Sequence, residues 1–382
     1  MRKSLSLYIH IPFCMSKCHY CAFVSQVAGD ELKNNYIDAL LEEIKMRGKT
    51  YNAKYEVQTI YIGGGTPSSL PLGQIKAIMN TIYNYFTVKN DAEITIEINP
   101  NTLTEKKVNE YLGENINRFS IGLQAVQSRL LKVIGRTHNF EDFKNAVTLL
   151  KNAGASNISV DLMLGLPTQT LEDVTQSIRM IDSLDVKHIS AYMLSIEEGT
   201  KFHKLMEANM LELPTESETI QMYNRAFDEL EKRGFKRYEF SNFGKVGYRS
   251  KHNTVYWERK PYLGLGVSAH SFVDGYRMAN TDDVHEYMAH IGKGEIPLSD
   301  KDKLSKQDAK EETIMLSLRL VDGIDLAKYE KDFGVSLLAE KKDVITSLIK
   351  NKFIVIDRNN RLRATNQGFL VMDKIISLLT LD

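Results

Sequence analysis

The spacing of the cysteines constrains this chain more than any other feature of its sequence. Among 382 residues there are three cysteines, and Cys14, Cys18 and Cys21 all fall within one stretch of 8 residues. An odd and tightly clustered set makes a poor disulfide framework, and it suits a reducing compartment. Cysteines that only fill a core would be scattered along the chain. The clustering therefore predicts a metal-binding loop.

The cysteine spacing, Cys-x3-Cys-x2-Cys, favours an iron–sulfur cluster over zinc. Three thiolates can ligate three irons of a [4Fe–4S] cluster, which leaves the fourth iron without a protein ligand. Structural zinc normally takes four ligands, usually in two separated pairs, and the sequence contains no second pair of cysteines. His19 lies inside the loop, where we do not expect it to complete a tetrahedron. A catalytic thiol would explain one of the cysteines but not all three.

Strand-like and helical patterns alternate through the first half of the chain. The six predicted strands are residues 5–11, 57–62, 93–98, 118–123, 157–163 and 188–194. The segments between them carry apolar residues at helical spacing, and in the first of these Asp30 is placed to cap the helix. Parallel strands need crossovers of this length. The pattern predicts an α/β fold, a partial (β/α)6 barrel that binds ligands at the carboxyl ends of its strands, although a flat doubly wound sheet fits the alternation too.

The predicted barrel core covers residues 1–234, and after it the composition and the apolar pattern of the sequence change twice. Residues 235–300 form an aromatic, glycine-rich extension, and residues 301–382 read as helix, helix, hairpin and helix, a small winged-helix-like α+β domain. Winged helices often bind DNA, but the chain has 49 basic and 49 acidic residues and a formal net charge of zero. We therefore expect a packing or lid role for this domain and no nucleic-acid partner.

The sequence predicts a cytoplasmic protein. No apolar run approaches the roughly 20 residues that span a bilayer. The start of the chain, MRKS, passes directly into a strand-like run without an apolar signal region.

A run of glycines after the second predicted strand offers a ligand socket. Residues 63–67, GGGTP, directly follow that strand. Glycines allow close backbone approach and expose peptide groups to the ammonium and carboxylate of an amino acid. A tight turn is the simpler alternative. The run does not fit a dinucleotide site, because that motif spaces its glycines and opens a helix.

Polar residues stand at the ends of the next predicted strands. Glu97 shares a strand face with Glu93 and Thr95, and a carboxylate inside a barrel must meet a cation or a hydroxyl. A solvated acid at the end of a strand is equally compatible with the local sequence. Arg136 can pair with a ligand carboxylate, because a guanidinium group matches that geometry. Asp161 can accept ribose hydroxyls.

Five motifs in order resemble the radical S-adenosylmethionine superfamily, and most closely its branch of oxygen-independent coproporphyrinogen III oxidases and related HemW haem chaperones. They are YIHIPFC at 8–14, the cysteine loop, GGGTP at 63–67, IGLQ at 121–124 and DLMLGLP at 161–167. The resemblance implies S-adenosylmethionine at the open iron and its one-electron reduction to methionine and a 5′-deoxyadenosyl radical. The residues that it assigns to this ligand or its surroundings are Tyr8, Tyr20, Gly64, Gly65, Thr66, Glu97, Gln124, Arg136 and Asp161.

Two further features of the sequence resemble the chaperones rather than the oxidases. The oxidases have a longer N-terminal extension and carry a fourth cysteine where this chain has Phe23. Residues 251–257, KHNTVYW, resemble the His-Asn-x-x-Tyr-Trp motif of the chaperones and contain the single tryptophan. His252 is the predicted haem ligand, since histidine is a common axial ligand. The alternative is a hydrogen-bonded histidine in an aromatic core. We expect a structural role for His270 and a loop-orienting role for His10.

The resemblance implies a haem chaperone that passes haem to acceptor proteins such as respiratory haem enzymes. Its cofactors are then the [4Fe–4S] cluster, S-adenosylmethionine and haem. A coproporphyrinogen III dehydrogenase and another radical enzyme of unknown substrate are the alternatives. Transient contact with a membrane and a homodimer are both compatible with the sequence.

Overall fold

A twelve-stranded sheet forms the centre of the computed structural model, which describes residues 2–381. Its first six strands run in parallel and lie side by side in chain order. They are β1 (Lys3–Ile11), β2 (Tyr55–Gly64), β3 (Val88–Ile98), β4 (Arg118–Gln124), β5 (Ile158–Leu164) and β6 (His188–Met193). Every one of the six predicted strands is present.

Helices connect these strands and cover the sheet. They are α1 (Asp30–Tyr51), α2 (Gln74–Tyr85), α3 (Glu105–Gly113), α4 (Ser128–Val133), α5 (Phe140–Asn152), α6 (Leu171–Asp182), α7 (Lys201–Glu207) and α8 (Glu216–Lys232), with 3-10 turns at Pro67–Ser69 and Pro100–Thr102. The apolar face of α1 packs into the main core through Tyr36, Leu40 and Ile44. The predicted cap of this helix is wrong by one residue. Gly29 is the N-cap, and Asp30 lies in the first turn, where its charge still favours the helix N-terminus.

The extension continues the sheet at both edges. Its elements are β7 (Lys236–Arg237), β8 (Asn242–Gly244), α9 (Lys251–Trp257), β9 (Tyr262–Leu265), β10 (His270–Val273), β11 (Tyr276–Asn280), α10 (Val284–Gly292) and β12 (Leu298–Lys303). Strand β9 pairs in parallel with β1, and β8 pairs antiparallel with β6. Within residues 2–381, β1 and β6 do not pair with each other, so the barrel is open. The predicted α/β fold with an unclosed barrel is confirmed.

The C-terminal part has its own sheet and core. It contains α11 (Lys306–Ser317), β13 (Ile324–Asp325), α12 (Leu326–Phe333), α13 (Leu337–Glu340), α14 (Lys342–Lys350), β14 (Ile354–Ile356), β15 (Arg361–Ala364), α15 (Asn366–Leu370) and α16 (Met372–Thr380). Strand β15 lies between β13 and β14, and a separate apolar cluster fills the space beneath them. The predicted boundary at residue 300 falls inside β12, because that strand still pairs with β11.

None of the helices described in residues 2–381 is both long and apolar enough to cross a membrane.

Candidate functional site

The carboxyl ends of the parallel strands and the loop after β1 enclose a cavity. Most of the predicted site residues line it. They are Cys14, Cys18, Tyr20, Cys21, Gly64, Gly65, Thr66, Glu97, Gln124, Arg136 and Asp161. Tyr8 and His252 are not in this lining set. The chain therefore brings together residues that are up to 147 positions apart in the sequence, from Cys14 to Asp161.

The cysteine loop is held at both ends by backbone hydrogen bonds. The Cys14 amide donates to Gln26 O at 3.0 Å, and the Gln26 amide donates to Pro12 O at 2.8 Å. The Thr66 amide donates to Phe13 O at 2.7 Å, which joins the loop to the glycine turn. All three thiols are free and partly exposed. Burial raises the pKa of the Cys21 thiol above its ordinary value.

Zinc and an iron–sulfur cluster make different demands on the three thiols. A tetrahedral zinc site needs a fourth ligand beside them, whereas in a [4Fe–4S] cluster each thiolate binds a different iron and the fourth iron needs no protein ligand. His19 cannot supply a fourth zinc ligand as it stands. Its Nδ1 donates to Val133 O at 2.8 Å, and its Nε2 accepts from Lys201 Nζ at 3.0 Å.

The glycine turn is packed too tightly for any side chain. Gly64 has a φ of +112°, and a Cβ there would lie 2.7 Å from the His10 ring. A Cβ on Gly65 would lie 2.8 Å from Phe13 O and 3.0 Å from Cys14 Sγ. Contacts of this length are repulsive, so the glycines let the turn lie directly beneath the cysteine loop. Thr66 closes the contact by donating from Oγ1 to Cys14 Sγ at 3.5 Å.

Two carboxyl groups lie in the cavity without a cationic partner. Glu97 accepts hydrogen bonds from Tyr61 Oη at 2.7 Å and from the Gly64 amide at 3.1 Å. Burial raises the pKa of Glu97 to about 7 and also raises the pKa of Asp161. Neither acid forms an ion pair within 4.0 Å in residues 2–381. A positively charged ligand or a hydroxyl donor would therefore stabilise both groups.

Arg136 brings an opposite charge to the same cavity. Its Nη2 donates to Tyr20 Oη at 3.2 Å, while its Nε is buried without a hydrogen-bond acceptor among the described residues. Gln124 ends β4 with a φ of +72°, a conformation that costs energy for a residue other than glycine. The Gln124 Oε1 accepts from Tyr192 Oη at 2.9 Å, which fixes the orientation of its amide. The cavity thus presents both signs of charge and a fixed amide.

The sequence prediction missed three hydroxyl groups that bind side chains of the cavity. Tyr61 binds Glu97, Tyr192 binds Gln124, and Ser120 Oγ donates to Asp161 Oδ1 at 3.4 Å. All of these residues lie on predicted strands. The alternation that placed Glu97 on an inner face could also have found them, since each points from its strand toward the same side of the sheet.

Tyr8 and His10 lie on β1, and the His10 ring packs against Gly64 of the glycine turn. Tyr8 Oη donates to His10 Nδ1 at 3.0 Å, and His10 Nε2 donates to Val24 O at 2.9 Å. His10 therefore connects β1 to the far end of the loop through a hydrogen bond, and its orienting role stays a prediction. Tyr8 lines a second cavity together with His10, Val24 and residues of the extension. Tyr8 is separated from Glu97 by Tyr61, whose ring stacks on Tyr8 with centroids 6.2 Å apart and whose hydroxyl donates to Glu97.

His252, the predicted haem ligand, lies in the surroundings that the alternative interpretation describes, a hydrogen-bonded histidine in an aromatic core. His252 is buried, with Nδ1 2.8 Å from Thr59 Oγ1 and Nε2 2.8 Å from Tyr256 Oη. Its ring stacks on Tyr61 with centroids 5.1 Å apart. Burial lowers the pKa of His252 to about 3. Both ring nitrogens are engaged, so neither can reach an iron without breaking this packing.

Two family profiles and two curated proteins show what this chain is similar to. The profile of the radical SAM superfamily matches residues 8–181, and that of the HemN C-terminal domain matches residues 304–371. The heme chaperone HemW of Lactococcus lactis is 34% identical, and the alignment covers 100% of this chain and 99% of that protein. The heme chaperone HemW of Bacillus subtilis is 35% identical, with 97% of each chain covered.

Among solved structures, coproporphyrinogen III oxidase (HemN) from Escherichia coli has the same fold. It superimposes with a TM-score of 0.87 at 22% identity, covering 100% of this chain and 91% of that one. At this level of identity the likeness establishes the fold and leaves the activity open.

Proposed function

The chain belongs to the HemW haem chaperone family of the radical SAM superfamily, and on this premise we propose that it binds haem and passes it to haem-requiring acceptor proteins. Its resident cofactors would be a [4Fe–4S] cluster and S-adenosylmethionine. The observation that carries the proposal is the match of the whole chain to proteins named as heme chaperones, at 34% and 35% identity. Phe23, which replaces the fourth cysteine of the oxidase pattern, supports the same choice.

The cavity that the three cysteines line, called the cluster-side cavity below, fits the two resident cofactors. Cys14, Cys18 and Cys21 would each ligate one iron, on the loop that the glycine turn supports from below. The unpartnered Nε–H of Arg136 can donate a hydrogen bond to a ligand carboxylate. A bound and reduced cluster would provide one-electron chemistry toward the sulfonium group of S-adenosylmethionine.

The remaining cavity residues would orient the sulfonium ligand. Glu97 would receive the ligand's ammonium group, and that positive charge would keep the Glu97 carboxyl ionised despite its burial. Asp161 would accept from the ribose hydroxyls, and Gly64, Gly65 and Thr66 would leave the backbone open to the amino-acid part. Gln124 would hold a polar contact whose orientation Tyr192 fixes. Tyr20 would keep Arg136 in place.

The same proposal extends to the cellular location and the protein partners of the chain. We place the function in the cytoplasm, since three unpaired and clustered cysteines suit a reducing compartment. Respiratory haem enzymes would be acceptors, reached through transient contact with a membrane. A homodimer is compatible with this role.

The deciding experiment supplies two substrates in parallel. Anaerobically reconstituted protein is given a reductant and S-adenosylmethionine, and then either haem or coproporphyrinogen III. We expect stoichiometric haem binding, transfer of that haem to an apo b-type cytochrome, and no decarboxylation of the porphyrinogen. Turnover of the porphyrinogen would show a dehydrogenase instead, and absence of haem binding would remove the chaperone role. The Cys14→Ser variant serves as the control without an intact cluster.

A further inference from the structure

The middle of the cysteine loop is attached to the rest of the protein mainly through one residue. The two ends of the loop are bonded to each other, to β1 and to the glycine turn. Among residues 15–21, only His19 and Tyr20 form hydrogen bonds with described residues outside the stretch 12–26. His19 forms four of these bonds and Tyr20 forms one. The positions of Cys18 and Cys21 therefore depend on His19.

Two of the four hydrogen bonds of His19 reach the end of α4. The His19 amide donates to Ile134 O at 3.0 Å, and His19 Nδ1 donates to Val133 O at 2.8 Å. Gly135 follows with a φ of +76°, and a Cβ there would lie 2.9 Å from the His19 ring. The imidazole thus lies directly against the backbone of this turn, which only a glycine allows.

The other two hydrogen bonds of His19 reach the start of α7. The Phe202 amide donates to His19 O at 2.9 Å, and Lys201 Nζ donates to His19 Nε2 at 3.0 Å. The Phe202 ring packs against the imidazole, with ring centroids 6.0 Å apart. An ammonium group can only donate and the Val133 carbonyl can only accept, so the two partners of the ring fix the tautomer with its proton on Nδ1.

Lys201 has the imidazole as its partner rather than a carboxylate. It is the exposed first residue of α7, and within residues 2–381 its ammonium group forms no ion pair. Thr200 holds the start of this helix, because its Oγ1 accepts from the His203 amide at 3.1 Å and donates to Glu197 O at 2.7 Å. The backbone that carries Lys201 is therefore fixed, and the lysine side chain extends to the cysteine loop.

The residue after His19 carries this attachment into the cluster-side cavity. Tyr20 Oη accepts from Arg136 Nη2 at 3.2 Å, and Arg136 directly follows the turn on which the imidazole packs. Cys18 and Cys21 flank His19 and Tyr20 in the sequence, and the Cys21 amide donates to Cys18 O at 3.3 Å. A shift of His19 would therefore move two of the thiols relative to the guanidinium group.

We propose that His19 is a positioning residue for the iron–sulfur cluster and that Lys201 secures it. The inference rests on the proposed function and names the residues that hold its cluster loop in place. His19 would bind neither iron nor S-adenosylmethionine. It would hold the half of the loop that carries Cys18 and Cys21 against α4 and α7, so that the cluster and Arg136 keep the relative position that the ligand needs.

The test measures the cluster and its ligand site in matched variants of the anaerobically reconstituted holoprotein. The variants are His19→Ala, Lys201→Met, Lys201→Arg and Lys204→Met. Lys204 provides the control, because it is exposed on the same helix and its side chain forms no hydrogen bond or ion pair with the described residues. Equilibrium dialysis gives the dissociation constant of S-adenosylmethionine, and electron paramagnetic resonance reports on the reduced cluster.

We expect His19→Ala to raise that dissociation constant by at least roughly fivefold, because two side-chain hydrogen bonds that align the loop are lost. Lys201→Met should raise it by about two- to threefold, since one of those bonds is lost. Both variants should also change the electron paramagnetic resonance spectrum of the reduced cluster. Lys201→Arg, which keeps a donor for Nε2, should restore the wild-type values, and Lys204→Met should match the wild type.

Amide hydrogen exchange shows whether the effect is local. In the full-length apoprotein, His19→Ala should speed exchange in residues 15–22 by at least roughly fivefold, while exchange in β1 matches the wild type. This measurement does not depend on cluster loading. If His19→Ala does not fold, the comparison of Lys201→Met with Lys204→Met decides, because both substitutions replace exposed lysines of one helix.

The outcomes distinguish this inference from the function on which it rests. If His19→Ala and Lys201→Met keep the wild-type dissociation constant, spectrum and exchange, His19 is not a positioning residue while the chaperone function stands. If Lys201→Met and Lys204→Met behave alike, Lys201 does not secure the loop. If the wild type takes up no cluster, the cofactor part of the proposed function fails, and the exchange data still decide whether His19 holds the loop.

Discussion

Two buried carboxylates differ in how completely the protein supplies their hydrogen-bond and ion-pair partners. One is Glu43 on α1, and the other is Glu97 at the carboxyl edge of the sheet. Glu43 on α1 has no exposed surface and accepts four hydrogen bonds. Its donors are the Gly266 amide at 2.7 Å, Tyr287 Oη at 2.8 Å, Asn280 Nδ2 at 2.9 Å and Arg47 Nε at 3.4 Å. Every donor except Arg47 comes from the extension, so this network attaches the extension to the barrel core.

The charged groups of the cluster-side cavity have only some of their possible hydrogen-bond and ion-pair partners within the protein. Glu97 and Asp161 lack a cation within ion-pairing distance in residues 2–381, and the Nε of Arg136 lacks an acceptor. An unsatisfied buried polar group costs about 1–3 kcal/mol, more when it is charged. The difference teaches that burial of charge serves two purposes here. At Glu43 the fold completes the network itself, whereas at Glu97 a ligand must complete it.

The largest expected effect is the loss of the cluster when one of its ligands is removed. Cys14→Ser, Cys18→Ser or Cys21→Ser should each abolish the brown chromophore after anaerobic reconstitution, because each thiolate is assigned to a different iron. Iron content and visible absorption provide the measurement. Normal iron loading in any of these variants would contradict the ligand assignment. Glu43→Gln should retain the chromophore in whatever fraction remains folded.

The next largest effect tests the satisfied network. Glu43→Gln should lower the free energy of unfolding by about 3–5 kcal/mol, because it leaves Arg47 buried without its carboxylate and turns an amide toward donors. Urea unfolding of the apoprotein measures this change. The matched variant Glu97→Gln should not destabilise the apoprotein at pH 7. Equal destabilisation by the two substitutions would remove the distinction between the two sites.

A pH dependence sharpens the same comparison. The Glu97 pKa is about 7 in the fold, above its ordinary value of 4.5, so folding favours the protonated form. The stability that this group contributes is complete below pH 4.5 and is lost as the pH rises through 7. Between those values the wild-type apoprotein should lose about 3 kcal/mol relative to Glu97→Gln. Parallel stability profiles from pH 4.5 to 8 would contradict the burial of this charge.

The smallest expected effect concerns the turn beneath the cysteine loop. Gly65→Ala should lower the free energy of unfolding by about 1–3 kcal/mol, because its Cβ would meet Phe13 O and Cys14 Sγ. Gly113→Ala, at the end of α3 with open space around it, should instead stabilise by up to about 1 kcal/mol. Thermal unfolding and iron content measure both variants. An unaffected Gly65→Ala protein would mean that the loop can move away from β2.

The sequence predicted the parallel strands and most of the cluster-side cavity for a physical reason. Strands β1 to β6 show local apolar patterns, and parallel strands place their carboxyl ends at one edge, so motifs after each strand must meet there. The short strands β7 and β8 have no such pattern, and β9 to β12 join the sheet through pairing that distant residues decide. Their places could not be found from the sequence alone.

His252 and His270 show a second limit of sequence interpretation. Whether an imidazole is free depends on neighbours that the chain brings from far away. Thr59 binds His252 across 193 positions, and the stacking partner Tyr61 comes from the same distant strand. Nothing near His270 in the sequence indicates that its ring is left without a partner among the described residues. A motif can therefore place a histidine near a site without deciding whether its ring nitrogens are free.

The bond between His10 and Val24 has a consequence for communication within the molecule. It joins the far end of the cysteine loop back to β1, so residues 14–24 form a short tether between two points of attachment. Strand β1 itself pairs with β2 on one side and with β9 on the other. A change in how the cysteines hold iron must then be absorbed between Cys14 and Val24. Phe23 lies within that tether and lines both cavities. The wall that the two cavities share therefore belongs to the same short segment that carries Cys18 and Cys21.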